Sequence, residues 1–235
     1  MYLSRVKLDI TKRETMVALS RMTKFHACVE AACTADRQRK LWRLDALQSE
    51  TGGKNLYLLM LSHSCPDLSS MQKQFGYPSD PNSARTIEYD RLLSYIANNT
   101  LWRFRLVANP VHSTKGDNCV RYKQKNKDGI IVPRITVERE ERGHICGHVT
   151  IAQQEEWLTK RAAAHGFALE AGQYAVTASK WQKFVKKDGH HVSLLAASYE
   201  GVLKVIDEEL FRKTLTEGIG RGKAYGLGLL TVARL

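Results

Sequence analysis

No apolar run in this chain approaches the roughly 18 residues needed to cross a bilayer. The opening Met1-Tyr2-Leu3-Ser4-Arg5 lacks the basic-then-apolar build of a signal peptide. The expectation is a soluble, cytoplasmic protein with no membrane partner. Cysteine is scarce. Five residues, an odd number without regular spacing in a chain of 235, predict reduced thiols and argue against a disulfide framework. Acidic side chains are the minority charge, 24 Asp and Glu against 36 Lys and Arg, which leaves a formal charge of +12. That excess favours a polyanion such as nucleic acid over an acidic small molecule, and no cofactor or obligate small-molecule ligand is expected. Two nucleotide-recognition signatures are also missing: the Lys/Arg-Gly-Phe/Tyr run of an RRM and the Gly-Lys-Ser/Thr ending of a P-loop.

What the chain does have is concentrated near its end. Gly218-Ile219-Gly220-Arg221-Gly222-Lys223-Ala224-Tyr225-Gly226-Leu227-Gly228 holds five glycines and two cations in eleven residues. Glycine lets main-chain amides approach an anion without an intervening Cβ, and Arg221 and Lys223 add full charge to those dipoles. Gly220, Arg221, Gly222 and Lys223 are therefore candidate contacts to a phosphate backbone, though charge alone does not distinguish RNA from DNA or an anionic membrane. The alternative is a tight helix-to-strand turn that needs several positive φ angles.

Length and pattern predict an α+β protein of two tandem ferredoxin-like (RRM-like) βαββαβ domains, residues 1–97 and 98–235. Residues 2–10 alternate as a strand, and Thr11-Lys12-Arg13-Glu14 has the form of a capping box that opens a helix running to about Cys33. Strands are expected at residues 41–44, 56–61 and 86–96, with a short helical segment after Pro66. In the second half, residues 101–107 alternate as a strand. Thr150-Ile151-Ala152-Gln153 is a second capping box, for a helix ending at Gly166. Strands at 181–185 and 191–198 flank the hairpin signal Asp188-Gly189, residues 199–206 extend the second strand or follow it, Asp207 caps a last helix to about Glu217, and residues 227–232 close the chain as a strand. The sequence shows no self-similarity, so the tandem arrangement rests on element order.

Several of these segments together resemble one family. Met1-Tyr2-Leu3-Ser4-Arg5-Val6, Leu41-Trp42-Arg43-Leu44, Phe104-Arg105-Leu106-Val107-Ala108-Asn109-Pro110, Glu156-Trp157-Leu158, Tyr199-Glu200-Gly201-Val202-Leu203 and the glycine loop resemble, in order and across the whole chain, the CasE family of CRISPR-associated endoribonucleases. The resemblance implies an enzyme that cuts the repeat hairpins of precursor crRNA and keeps the product as a subunit of the Cascade complex, with other Cascade subunits as partners. It also implies two ferredoxin-like domains and a catalytic histidine on the first helix.

RNA carries its own nucleophile, the 2′-hydroxyl. Scission needs a group to take that proton, a group to protonate the leaving 5′-oxygen, and cations or amides to hold the developing charge, with no metal. Histidine suits the proton transfers because its ordinary pKa lies near neutrality. His26 matches the family's catalytic histidine. On a helical wheel Ala18, Met22, Phe25, Val29 and Ala32 form one apolar stripe, and His26 falls roughly 80° from its centre, on the edge. A surface or half-buried margin residue is the alternative. The family carries tyrosine three residues earlier, where this chain has Thr23, whose short hydroxyl cannot replace a phenol. Arg21, Lys24 or Lys223 are candidates for charge stabilisation, and Glu30, one turn on, for holding the imidazole.

RNA binding is expected from the second half. Residues 181–191 form a basic hairpin whose tip carries Lys186 and Lys187, and Lys180 and Lys183 lie along the same strand. A second cationic stretch, residues 115–127, includes Lys115 and Arg121, with a solvated loop as the alternative. His144-Ile145-Cys146-Gly147-His148 places three metal-ligand types at strand spacing but lacks a fourth, so no metal site is expected. Two functions remain: a metal-independent endoribonuclease, and a non-catalytic subunit that binds the RNA hairpin.

Overall fold

The computed structural model describes residues 1–34, 38–48, 53–114, 124–125, 131–132, 144–185 and 189–235. The first half runs β1 (Tyr2–Leu8), α1 (Arg13–Ser20), α2 (Thr23–Ala31), β2 (Leu41–Gln48), β3 (Lys54–Ser62), α3 (Ser69–Phe75), β4 (Ala84–Glu88) and α4 (Asp90–Ser94). Its antiparallel sheet has the order β2-β3-β1-β4. Alternation along β1 buries Ser4, Val6 and Leu8, and Val6 and Leu8 join a core built from Ala18, Met22, Phe25 and Val29 of the helical segment with Trp42, Leu58, Met60, Met71 and Phe75.

Three expectations for this half need correction. The helix opening at Thr11 has no capping box: the Thr11 amide and hydroxyl both donate to Asp9 Oδ1, at 2.9 and 2.7 Å. Asp9, two residues upstream, wins the competition as an Asx turn. Lys12 sits at the cap position without a side-chain bond to the helix, and its ammonium donates instead to the Lys73 and Gly76 carbonyls at 3.0 and 2.6 Å. The long helix to Cys33 is two helices, broken at Arg21 (φ −137°, ψ 81°). Ser20 donates back to the Val17 carbonyl at 2.8 Å and the Arg21 amide to Ala18 at 3.0 Å, so local bonds tighten and end the first helix. The strand expected at 86–96 stops at Glu88, and Asp90–Ser94 coils into a helix between the buried anchors Tyr89 and Ile96.

The second half runs β5 (Leu101–Ala108), β6 (Val111–Thr114), β7 (Gln124–Lys125), β8 (Ile131–Val132), β9 (His144–Gly147), α5 (Ile151–Ala162), β10 (Phe167–Ala168), β11 (Tyr174–Val185), β12 (His191–Val205), α6 (Glu208–Glu217) and β13 (Leu230–Arg234). Its main sheet has the order β10-β12-β5-β13, with β11 also on β12, while β6 pairs β9 and β7 pairs β8 in separate two-stranded sheets. Taken as one interrupted second strand, β10 and β11 give this sheet the same order as the first, second-third-first-fourth. The Thr150 capping box forms with both its bonds, at 3.2 and 3.3 Å, and Asp207 accepts from the Leu210 amide at 3.0 Å. The closing strand starts at Leu230 rather than residue 227, because the Gly228 amide, at φ +90°, turns to donate to the Val107 carbonyl at 2.7 Å.

The two halves share a core in which Leu41, Leu61, Tyr89 and Ile96 pack with Trp102, Trp157, Phe211 and Leu229. Gly166 sets the entry to α6. Its φ is +78°, and a Cβ there would lie 2.4 Å from the Asp207 carbonyl oxygen and 2.5 Å from the Phe211 amide nitrogen. Gly166→Ala is expected to cost more than about 1 kcal/mol, the ordinary left-handed penalty, because fixed backbone blocks the methyl. Urea unfolding monitored by circular dichroism would show a lowered midpoint, and an unchanged midpoint would contradict this packing.

Candidate active site

His26 lies on α2 between two side chains that anchor the helix in the core, Phe25 and Val29. Its side chain is 35% exposed, so the ring stands at the margin the wheel predicts. Nδ1 lies 3.9 Å from Glu30 Oε1, within ion-pair but not hydrogen-bond range, and the other Glu30 oxygen accepts from Lys40 Nζ at 3.1 Å. The Lys40 side chain is only 2% exposed. Imidazole, carboxylate and buried ammonium thus form a row in which Lys40 fixes Glu30 and Glu30 presents negative charge to one ring nitrogen.

The glycine loop packs against this helix. Gly218, Gly220, Gly222, Gly226 and Gly228 all have positive φ, between 73° and 90°. The turn Lys223–Tyr225 rests on α2 and β2. Trp42 is the floor of the contact: its ring is 6.0 Å from Phe25 on one side, and on the other a Cβ on Gly226 would come within 2.8 Å of it. Both a positive φ and close approach therefore require glycine at 226. Tyr225 in turn lies 4.9 Å, ring to ring, from Phe184 near the turn end of the β11–β12 hairpin. One continuous stack joins the helix bearing His26, the glycine loop and the hairpin.

The sequence-selected cations divide among separate surfaces. Lys180 lines a cleft of 90 Å³ between the halves with Met22, Trp42, Gln182 and Tyr225, one helical turn from His26. Lys183 is exposed on β11, much of which faces solvent. Lys223 lines a cavity of 440 Å³ with Arg39 and His63. Burial, then the Arg39 charge, holds its ammonium below the usual lysine range. Gly220 and Arg221 line a different cavity with His112 and Arg161. Gly222 is the left-handed residue between them. Arg21 and Lys24 are exposed and Thr23 half-buried. Lys115, Arg121, Lys186 and Lys187 lie outside the described residues.

Lys40, Arg39, Tyr225, His112 and Arg161 escaped sequence reasoning, because no local period marks them and only tertiary packing brings them to the site. His148 lies beyond the end of β9, and its ring lies against that of His112, 4.5 Å between centroids and tilted by 39°. Among the described residues no cluster of three metal-ligating side chains occurs, and no helix is long and apolar enough to cross a membrane.

Residues 1–234 match the family model for "CRISPR associated protein". The chain is 28% identical over 248 residues to the CRISPR-associated endoribonuclease Cse3 of Thermus thermophilus, covering 99% of this chain and 100% of that protein. Its fold matches that of Thermus thermophilus Cse3 bound to an RNA representing a pre-cleavage complex, with TM-score 0.68, 23% identity and coverage of 99% and 98%. A chain of a CRISPR RNA-guided surveillance complex, pre-nicking, matches with TM-score 0.65 and 20% identity over 100% of both. With all but its last residue inside the family model, the chain belongs to the CRISPR-associated protein family, and the CasE resemblance of its motifs holds along its length.

Proposed function

We propose that the protein is a cytoplasmic, metal-independent endoribonuclease that cuts the repeat hairpin of precursor crRNA and retains the product as a Cascade subunit. The observation that carries this reading is the packing of the Lys223–Tyr225 turn on the helix that bears His26. On this reading the imidazole of His26 and the amides and Lys223 of that turn serve one path for a phosphodiester. The curated relative is named an endoribonuclease and aligns end to end, which supports the same chemistry here. Residues 1–97 and 98–235 serve as two tandem ferredoxin-like domains, supported by the shared strand order of the two sheets. The exposed β11 ribbon, with Lys180 and Lys183, follows the duplex.

In this mechanism the 2′-hydroxyl attacks the adjacent phosphorus as its proton passes to a base. The P–O5′ bond breaks, the 5′-oxygen takes a proton, and the products are a 2′,3′-cyclic phosphate and a 5′-hydroxyl. His26 is the proton-transfer group, with Glu30 facing Nδ1 so that the other ring nitrogen meets the RNA. Lys223 and the loop amides hold the charge on the phosphorane. Because the nucleophile belongs to the substrate, no metal-bound water is needed. Thr23 does not replace the family phenol, which favours the second reading, a hairpin-binding subunit without turnover.

Cleavage of a repeat hairpin in EDTA separates the two. The enzyme is expected to cut at the hairpin base, leaving a 5′-hydroxyl fragment, and a single 2′-deoxy substitution at the scissile nucleotide should block the cut while leaving binding intact. Tight binding with no cut by the wild-type protein would establish the structural reading instead.

A further inference from the structure

The cavity that takes Gly220 and Arg221 has a volume of 340 Å³ and is also lined by Asn109, His112, Trp157 and Arg161. That volume is at the small end of ligand sites, enough for a single nucleotide and far too small for a duplex. Its cations are held in place. The Arg161 guanidinium lies 4.5 Å over the Trp157 ring and donates to the Trp157 carbonyl at 3.3 Å, and Arg221 is tied by a main-chain bridge to Asn109. His112 lies against His148, whose imidazole is held below the usual histidine range by burial first and then by the His112 and Arg161 charges. The carboxylate that acts on His148, Glu156, is already paired with Lys160 at 2.7 Å. Among the described residues the wall is therefore cationic without a neutralising acid.

The same wall is incomplete in its hydrogen bonds. Asn109 Oδ1 and Trp157 Nε1, on two of the lining residues, are shut off from solvent and have no hydrogen-bond partner among the described residues; the same holds for Nδ1 of His148, which lies behind His112. Buried polar atoms of folded proteins are nearly always paired, so two unpaired ones on residues lining one cationic cavity set this wall apart from an ordinary core.

We propose that this cavity is a subsite for one unpaired nucleotide flanking the RNA hairpin, with its phosphodiester between Arg161, Arg221 and His112 and its base edge toward Asn109. The proposal rests on the endoribonuclease reading and extends it from the cut to the neighbouring nucleotide. Connectivity argues for RNA over a free anion. Arg221 and Lys223 are two residues apart, at most about 7 Å of main chain, so a strand crossing the loop beside α2 meets this cavity within a nucleotide or so. An unpaired nucleotide can be splayed into a concave site, whereas one inside an A-form helix cannot.

The test uses uncleavable 2′-deoxy hairpins, either trimmed to the terminal base pair or extended by two unpaired nucleotides on the 5′ or the 3′ side. Affinities are measured by fluorescence anisotropy for wild type, His112→Glu and Arg161→Gln. Wild type should bind one extended RNA at least tenfold more tightly than the trimmed one, and either variant should reduce that ratio below about twofold. A variant that merely loosens the fold lowers both affinities together and leaves the ratio intact, so a ratio that survives both variants overturns the proposal. Equal competition by millimolar inorganic phosphate for the extended RNA alone would make this a free-anion site and also overturn it. Wild type that binds neither RNA sinks the endoribonuclease reading and the subsite with it, whereas equal affinity for trimmed and extended hairpins, from a wild type that still cuts the unmodified extended RNA, sinks only the subsite.

Discussion

Replacing His26 with alanine is expected to slow hairpin cleavage by about 10²–10⁴-fold, the range that one positioned proton-transfer group contributes, while the affinity for uncleaved hairpin changes only a few-fold. The separation follows from where the side chains stand. The imidazole is at the helix margin, 35% exposed, and its Nδ1 makes no hydrogen bond among the described residues, so removing it disturbs little of the core beneath. Phe25 and Val29, its buried neighbours, hold α2 in place without it. The cations assigned to RNA binding sit on other elements: Lys180 and Lys183 on β11, Arg221 and Lys223 in the glycine loop. Single-turnover rates and equilibrium binding, measured on the same RNA, check both halves of the expectation. A variant that cuts at the wild-type rate would remove His26 from the chemistry, and one that loses cleavage and binding together would make it a packing residue.

The margin position of His26 was legible in the sequence because it depends on a local period: Ala18, Met22, Phe25 and Val29 are all buried, as their spacing requires. That the stripe survives a break at Arg21 was not legible. The break comes from Ser20 and Ala18 bonding within the last turn, and an apolar pattern does not register it. The two capping boxes make the same point. Thr150 and Gln153 have no competitor and form both bonds, whereas Thr11 has Asp9 two residues away and bonds to it instead. The glycine loop was visible by composition, yet its division between Lys223 beside Arg39 and Arg221 beside Arg161 is a tertiary fact. So is the Lys40 contact that fixes Glu30, since ten residues of sequence separate the pair. The three candidate metal ligands at 144–148 had the right types, but His148 packs its ring against His112, a residue that no spacing rule linked to it.

Arg43→Leu is expected to destabilise the protein by about 3–5 kcal/mol, the usual cost of breaking a buried ion pair from one side. At about 2–4 °C per kcal/mol for a chain of this size, the melting temperature should fall by roughly 6–20 °C. Arg43 is 1% exposed, yet its guanidinium is fully used. Nε and Nη2 donate to the two Asp45 oxygens at 2.7 Å, Nη1 to the Arg105 and Leu229 carbonyls at 2.8 Å, and Nη2 also to Thr231 Oγ1 at 2.8 Å. These five bonds match the five donors of the side chain and tie β2 of the first sheet to β5 and β13 of the second. Leucine would leave Asp45 charged and buried, with Arg105 as its remaining ion-pair partner at 3.8 Å. Since the penalty lies in the orphaned carboxylate, Arg43→Leu with Asp45→Leu should recover most of the lost stability. Cleavage should not recover with it. Trp42, on the opposite face of the same strand, supports both Phe25 and Gly226, so β2 holds the helix of His26 with one side chain and the exit of the glycine loop with the next. Without Arg43 the Leu229 carbonyl loses its anchor and the distance between imidazole and loop is no longer fixed. The double variant is expected to melt near wild type, bind hairpin with near-normal affinity and cut it about tenfold or more slowly, a displacement effect of the kind that misaligned reacting groups produce. A stable double variant cleaving at the wild-type rate would show that the buried arginine joins the two sheets without setting the geometry of the site.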